Sequence, residues 1–202
     1  MLASIAKTSI ASLGWGKKKD PVVCDSGNIT GLPSFDAERY MGNWFEIYHT
    51  KNQPFQPDSW TCSQATYSNL NTDDGTFTVY NSGQGRFHGP RFGVTGDGRC
   101  NADDEEAFGA GQCFVKFFTQ PYYDTPNYEI IDTDYENYSL IYACHEDDMQ
   151  YLWFMSRTPT LDDDTISMMM DKAKATLPNY NFDNLVFDDQ DQKKCKYVKD
   201  KQ

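Results

Sequence analysis

Long apolar runs are absent from this sequence, and no stretch approaches the roughly 18–20 residues that a membrane-spanning helix needs. Basic residues are scarce, with 18 Lys and Arg against 30 Asp and Glu, so the net charge is −12. Because nucleic acids and anionic membrane surfaces are bound through clustered Lys and Arg, this balance argues against both partners. Histidine occurs only three times, without C-x-x-C or histidine-rich spacing, so the sequence predicts no metal site.

Aromatic residues are abundant, at 15% of the 202 residues, which is typical of a β-rich protein with an aromatic interior. That length fits a single domain with a sizeable core, which we expect over residues 21–202. Residues 1–20 carry Lys7 inside a weak apolar stretch and three lysines after it, unlike a secretory signal. We interpret residues 1–20 as a tail outside the fold: a processed remnant, part of a transit sequence, or a leader.

Short segments with alternating apolar residues recur at the spacing of an all-β, up-and-down antiparallel barrel. Eight strands are predicted, over residues 44–49, 62–69, 76–81, 91–99, 112–119, 127–133, 138–144 and 150–156. A helical turn capped by Asp36 is expected before the first strand. After the last strand the apolar spacing becomes helical, which predicts a C-terminal α-helix packed outside the barrel. Its stripe consists of Ile166, Met169, Met170, Ala173 and Leu177.

Three segments carry a family resemblance. FDAERYMGNWFEIYHT, residues 35–50, has Gly42 and Trp44 at the start of the first strand, and SRTPTL, residues 156–161, ends the last strand on Arg157. TDYENYSLIYAC, residues 133–144, lies between them. In this order the segments resemble the lipocalins, which are closed β-barrels. The resemblance implies that Arg157 lies across the Trp44 ring and closes the barrel base, a contact of roughly 1–2 kcal/mol when shielded from water.

Six cysteines form an even set, which is consistent with an oxidising compartment, and they allow fifteen pairings. The resemblance to apolipoprotein-D-like and insect bilin-binding lipocalins implies two of them, Cys24–Cys144 and Cys62–Cys195. A third pair, Cys100–Cys113, resembles an extra pair in the plastid lumenal lipocalins of plants, with free thiols as the alternative. Both the secretory space and the plastid or thylakoid lumen are oxidising enough, so the compartment stays open.

The same resemblance implies a ligand-binding cup inside the barrel. Tyr67 and Trp153 match positions that line the cup in apolipoprotein-D-like lipocalins, and strand alternation adds Tyr48, Phe92, Phe117 and Tyr142. Ordinary packing in the barrel wall is the alternative for each residue. The proline-rich segment 51–61 is expected to form a loop over the mouth. Its Phe55 and Trp60 would form an apolar lip for ligand entry or transient membrane contact, or simply anchor the loop.

The function expected from these features is that of a carrier for a small hydrophobic ligand, such as a lipid, sterol, retinoid, carotenoid or bilin. No obligatory cofactor and no catalytic residue is predicted. A structural or assembly subunit of a pigment- or membrane-associated complex is the alternative, because Phe114 and Phe118 both fall on one face of their strand. A lipid- or carotenoid-modifying enzyme ranks below both, because every cysteine has an expected partner.

Overall fold

The computed structural model describes residues 23–26, 29, 32, 34–85, 87–100, 111–145 and 149–199. The predicted tail, residues 1–20, lies outside the described residues. Among those described, no helix is long and apolar enough to cross a lipid bilayer.

Within the described residues, nine strands form one antiparallel sheet, in which β1 to β8 pair in chain order and β1 also pairs with β8. This pairing closes the first eight strands into a barrel, so the prediction of an up-and-down antiparallel barrel is confirmed. The strands are β1 Gly42–Thr50, β2 Thr61–Ser68, β3 Thr76–Gln84, β4 Arg91–Cys100, β5 Gln112–Phe117, β6 Tyr128–Thr133, β7 Tyr138–His145, β8 Met149–Ser156 and β9 Leu185–Phe187.

Strand β9 was not predicted. It pairs with Tyr48–Thr50 at the far end of β1, where β2 no longer pairs with β1. Three residues are too few to show an alternating pattern, so the sequence carries no signal for this strand. Its consequence is that the C-terminal segment runs back along β1.

The end of the barrel where β1 begins is the base, and the end where β1 stops is the open end. Helix α1, Ala37–Tyr40, precedes β1 at the base, and the Asp36 carboxylate accepts a hydrogen bond from the Arg39 backbone N–H as its N-cap. Gly42 has φ of 94°, a left-handed conformation that glycine adopts at no steric cost. That turn points Trp44 inward, where it is fully buried.

Arg157 closes the base over this tryptophan. Its guanidinium carbon lies 3.7 Å from the centre of the Trp44 ring, the arrangement that the resemblance implies. The guanidinium also donates hydrogen bonds to the backbone carbonyls of Arg39, Asn43 and Tyr135. These contacts join the start of β1 to the end of β8, because one side chain binds three backbone carbonyl groups at the base.

Helix α2, Asp163–Thr176, packs on the outside of the barrel as predicted. The Asp162 carboxylate caps it by accepting from the Thr165 backbone N–H, and the chain leaves the helix at Leu177, just before Pro178. Buried side chains of the helix join buried side chains from the outer faces of β7 and β8 in one cluster. They are Met169, Ala173 and Leu177 with Leu140, Tyr142, Leu152 and Phe154.

The three disulfides are the pairs that the resemblance implies: Cys24–Cys144, Cys62–Cys195 and Cys100–Cys113. The first two join the segments that contain Cys24 and Cys195 to β7 and β2 at the open end of the barrel. The third joins the end of β4 to the start of β5 at the base. All six cysteines of the chain are therefore paired, and no thiol is free.

Glu129 on β6 is a buried acid on the outer side of the barrel. It is 2% exposed, and one of its carboxylate oxygens accepts from the Gln112 side chain at 3.2 Å. Burial raises its pKa from the usual 4.5 to about 7, against a smaller opposing effect of hydrogen bonds from Ser26 and Gln112. The ionised form is therefore disfavoured in the folded state.

Replacing Glu129 with glutamine should stabilise the protein at alkaline pH. The unfolded chain releases this proton near pH 4.5 and the folded chain near pH 7, so the carboxyl loses folding free energy as pH rises between these values. We expect Glu129→Gln to raise the free energy of unfolding by roughly 2–3 kcal/mol at pH 8 and to leave it unchanged near pH 4.

Chemical unfolding of both proteins across this pH range measures the difference. The matched control is Glu38→Gln, which makes the same replacement at an exposed glutamate on α1 and should change the free energy of unfolding little. A Glu129→Gln protein that is equally stabilised or destabilised at all pH values would contradict the prediction.

Candidate functional site

A cavity of about 470 Å³ lies inside the barrel between its base and the open end. Its volume falls in the range of about 300–1,000 Å³ that is usual for small-molecule sites. The wall is mostly aliphatic and aromatic, with a few amide, carboxyl and hydroxyl groups. It is lined by Glu46, Pro54, Phe55, Ala65, Tyr67, Val79, Asn81, Val115, Lys116, Phe117, Phe118, Gln120, Tyr123, Asn127, Tyr128, Ala143, Tyr151, Trp153 and Met155.

Three residues predicted from the sequence stand on this wall: Tyr67, Phe117 and Trp153. Trp153 stacks on Tyr151, with ring centres 5.8 Å apart and ring planes 24° apart. Phe55 from the mouth loop covers the same pair, at 5.2 Å from the Tyr151 ring and 6.5 Å from the Trp153 ring. The open end of the cavity is thus walled by three aromatic rings.

Tyr48 does not line the cavity, and a β-bulge is the reason. The pairing of β1 with β8 shifts between Glu46 and Tyr48, so one extra residue, Ile47, is inserted into the strand. The shift turns Tyr48 to the outer face, where its ring packs against Phe154 and Phe187. Regular alternation had put Tyr48 on the same face as Glu46, and that expectation is corrected.

Tyr142 also faces outward. Its hydroxyl donates to the Gln150 side chain and accepts from the Asp25 backbone, while Ala143 faces the cavity. Alternation gave no direction here because both faces of β7 are apolar, the outer one being covered by α2. Phe92 lies outside the cavity for another reason: it is the second residue of β4, at the open end, and is 55% exposed.

Several lining residues were missed by the sequence reasoning. Tyr151 and Met155 share the face of Trp153 on β8, so a period of two counted from Trp153 would have found both. Ala65 stands two residues before Tyr67 in the same way. Tyr128 begins β6, and no pattern in the sequence separates it from its neighbours.

Tyrosine hydroxyls form a hydrogen-bonded chain at the floor of the cavity. The Tyr67 and Tyr128 hydroxyl oxygens are 2.7 Å apart, and Tyr40 joins Tyr128 at 3.4 Å and Ser139 at 2.9 Å. Burial raises the pKa of Tyr40 to about 12 and those of Tyr67 and Tyr128 well above their usual value. The three rings therefore stay neutral, and the floor offers hydroxyl groups without charge.

A second cavity of about 290 Å³ adjoins the first. The two share six lining residues, Glu46, Pro54, Phe55, Asn81, Phe117 and Phe118. Two of these are polar at the junction: the Asn81 side-chain oxygen is buried without a hydrogen bond among the described residues, and Glu46 accepts from Gln56 at 2.8 Å. Burial, with a smaller effect of Asp188, raises the pKa of Glu46 to about 8.

The mouth loop places its two aromatic residues differently. Phe55 lies over the main cavity and is 44% exposed, whereas Trp60 lines the second cavity. Gly83 allows this packing, because a Cβ there would come within 2.7 Å of the Trp60 ring. Phe114 and Phe118 were the two residues considered for a partner surface. The Phe114 ring packs against Tyr122 of the same chain, whereas Phe118 is 78% exposed.

Two groups of side chains in the described residues have the composition of a metal site. Cys62, His88 and Cys195 lie together, but both sulfur atoms belong to a disulfide and are not available as thiolates. Glu46, His49 and Asp188 offer ligand atoms that all lie within 4.8 Å of one another, and all three side chains are buried.

Comparison with known proteins agrees with the geometry of the barrel. A family described as a lipocalin-like domain matches residues 35–190. Apolipoprotein D of Mus musculus is 31% identical over 145 residues, covering 68% of this chain and 69% of the relative. Temperature-induced lipocalin-1 of Arabidopsis thaliana is 32% identical over 149 residues, covering 70% and 73%. The outer membrane lipoprotein Blc of Escherichia coli K12 is 30% identical over 159 residues, covering 79% and 81%.

Solved structures agree on the fold. Insecticyanin from the tobacco hornworm Manduca sexta superposes with a TM-score of 0.68 at 22% identity, over 89% of this chain and 93% of that one. Lobster apocrustacyanin A1 gives a TM-score of 0.62 at 19% identity, over 85% and 88%. At these identities the likeness concerns the fold alone.

Proposed function

The chain belongs to the lipocalin family, and from that premise we propose that it carries a small hydrophobic ligand inside its barrel. The observation that carries the proposal is the cavity of about 470 Å³, aromatic on its walls and closed at the base by Trp44 and Arg157. Such a site gains affinity chiefly by removing apolar surface from water, at about 25 cal/mol per Å² before the costs of association.

Tyr67, Phe117 and Trp153 are the residues we propose to contact the ligand first. Phe117 and Trp153 offer flat apolar area, and Tyr67 adds a hydroxyl to the hydrogen-bonded floor. A lipid, sterol, retinoid, carotenoid or bilin matches this chemistry. The second cavity would take the end of a ligand longer than the first can hold.

Apolar side chains at the open end support a route of entry from an apolar surface. Four exposed phenylalanines lie in or beside the connections between strands at this end. They are Phe55, Phe87, Phe92 and Phe118, with exposed fractions of 44%, 90%, 55% and 78%. The same exposed rings favour the second candidate function, a subunit that docks by this end onto a pigment- or membrane-associated complex. The carrier ranks first because the cavity behind these rings is closed at its other end.

We further propose an extracytosolic oxidising compartment, either secreted or plastid lumenal. The three disulfides support this because such bonds persist where thiols are not kept reduced. They also leave no cysteine thiol as a nucleophile, which ranks an enzymatic role below the other two.

Native mass spectrometry of the purified protein, with a visible absorption spectrum, tests the carrier proposal. We expect a bound species of a few hundred daltons that is released on denaturation, and a visible band if that species is a pigment. If the cavity is empty, titration with lipids, retinoids and carotenoids should quench the Trp153 fluorescence at micromolar concentrations. An empty protein that also fails to bind all of these classes would contradict the carrier and favour the docking subunit.

A further inference from the structure

We propose that Glu46, His49 and Asp188 form a binding site for one divalent transition-metal ion in the barrel wall beside the cavity. The Nδ1 atom of His49 lies 3.5 Å from a Glu46 carboxylate oxygen and 3.9 Å from an Asp188 carboxylate oxygen. A zinc ion bound at about 2.0–2.2 Å from each ligand separates neighbouring ligand atoms by roughly 3.3–3.6 Å. The two distances from His49 differ from that spacing by a few tenths of an ångström at most, and the Glu46 and Asp188 oxygens lie within 4.8 Å of each other.

His49 supplies the observation that separates this cluster from an ordinary group of acids. Its side chain is 4% exposed, and Nδ1 has no hydrogen-bond partner among the described residues. A buried nitrogen of this kind normally has a partner, because leaving it unsatisfied costs about 1–3 kcal/mol. Here the atom lies 3.5 Å from a Glu46 oxygen and 3.9 Å from an Asp188 oxygen, so one cation among the three groups would bind all of them.

The two carboxyl groups are also buried, in the part of the chain that the structure describes, without an ion-pair partner other than His49. Glu46 and Asp188 are 5% and 2% exposed, and among the described residues their ion pairs are with His49 itself. Arg91 is near enough to sense Asp188, but its N–H groups bind Ser82 and the carbonyls of Cys62 and Lys196. A buried carboxylate without a cation is strongly disfavoured, and a divalent ion would compensate both at once.

The β-bulge in β1 brings Glu46 and His49 together. Residues three apart on a regular strand point to opposite faces, so Glu46 and His49 would be separated by the sheet. The bulge at Ile47 adds one residue and brings both side chains to the same side. The Asp188 backbone N–H donates to the Ile47 carbonyl at 3.0 Å, so the third ligand is fixed to the bulge itself.

A second layer of hydrogen bonds holds the ligands in place. The Ser63 backbone N–H points at the Asp188 carboxylate, 3.3 Å from the nearer oxygen, and Gln190 donates to the Glu46 carbonyl at 2.8 Å. Gln56 donates to the Glu46 carboxylate. Such outer contacts orient metal ligands and tune their affinity. Glu46 also lines both cavities, so the proposed metal site lies directly beside the cup.

One imidazole nitrogen with two carboxylate oxygens suits zinc, manganese, cobalt or iron better than calcium, which takes six to eight oxygens. The sequence reasoning predicted no metal site because it looked for close spacing. Residues 46 and 49 lie 139 or more positions before residue 188, and only β9 brings them together.

Isothermal titration of the metal-stripped, untagged full chain with ZnCl₂ tests the proposal, with millimolar MgCl₂ present to suppress weak surface sites. We expect one zinc per chain with a dissociation constant in the micromolar range or below. Zinc at about 100 times that constant should raise the melting temperature by roughly 5–10 °C. Cobalt(II) should show visible bands that zinc abolishes.

The variants His49→Gln and Asp188→Asn should each weaken zinc binding more than about 100-fold, because loss of a direct ligand exceeds the 10–100-fold cost of losing an outer contact. Asp189→Asn changes the adjacent acid, whose side chain is 51% exposed, and should leave zinc binding unchanged. Absence of zinc binding by the wild-type chain would overturn the proposal, even if both variants failed to fold. So would zinc binding of equal strength in Asp189→Asn and in folded His49→Gln or Asp188→Asn.

Discussion

Ala143→Phe should abolish tight ligand binding while leaving the barrel folded. Ala143 is 2% exposed, lines the cavity, and pairs with Tyr151 across β7 and β8. A phenyl ring at this position projects into the space that the ligand would occupy. Because one methylene in a pocket already changes recognition by about 10–200-fold, we expect at least a 100-fold weaker dissociation constant.

The stability of this variant should change little, because the new ring enters an existing cavity instead of a packed core. The ligand identified by native mass spectrometry serves as the probe, or an apolar fluorescent dye if none is found. Ala143→Ser is the matched control, since it alters the same position without filling the cavity. Binding by Ala143→Phe that equals the wild type would mean that the ligand sits elsewhere, most simply on the exposed phenylalanines of the open end.

The barrel could be predicted because its strands are regular and its turns are well marked. All eight predicted strands are present, and the base contact between Trp44 and Arg157 has the geometry that the family resemblance implies. The helix α2 was predictable in the same way, because apolar residues at helical spacing and Asp162 as the cap identify it independently of the barrel.

The cavity wall was less predictable, because alternation gives the face of a residue only while the strand stays regular. The bulge at Ile47 moves the Tyr48 side chain from the inner to the outer face of β1. Both faces of β7 are apolar, so alternation does not show on which face Tyr142 lies. Phe92 shares the inward-facing series of its strand with Val94, yet it stands beyond the cavity at the open end. The side of the sheet on which a residue lies and its position along the barrel axis are separate quantities. Strand alternation in the sequence predicts at best the side.

The cluster of Glu46, His49 and Asp188 shows the limit most clearly. Its first two members are brought to one side by an inserted residue, and the third arrives through a three-residue strand. Neither a single inserted residue nor a three-residue strand produces a periodic pattern in the sequence. The observable signal would have been chemical and partial: Glu46 and His49 are polar residues in the largely apolar segment 44–49, whereas Asp188 begins the polar segment 188–194.

Removal of the Cys62–Cys195 disulfide should cost about 2 kcal/mol more folding free energy than removal of the Cys100–Cys113 disulfide. The two cysteines are 133 positions apart, and the chain-entropy model gives about 5 kcal/mol for a loop of that length. The Cys100–Cys113 bond closes a loop of 13 positions, for which the same model gives about 3 kcal/mol.

The two bonds form a matched pair, because Cys62 and Cys113 are fully buried and each variant replaces two cysteines by alanine. Denaturant unfolding of both variants should therefore give losses that differ by roughly 2 kcal/mol, with Cys62→Ala/Cys195→Ala the less stable. Equal losses, or the opposite order, would show that the C-terminal segment is held mainly by its own contacts. Those contacts exist: Val198 and Gln64 exchange two hydrogen bonds of 2.9 Å, and the Cys62 backbone N–H donates to the Asp189 carbonyl at 2.9 Å. The size of the difference thus measures how far the segment that bears Asp188 depends on its covalent link to the barrel.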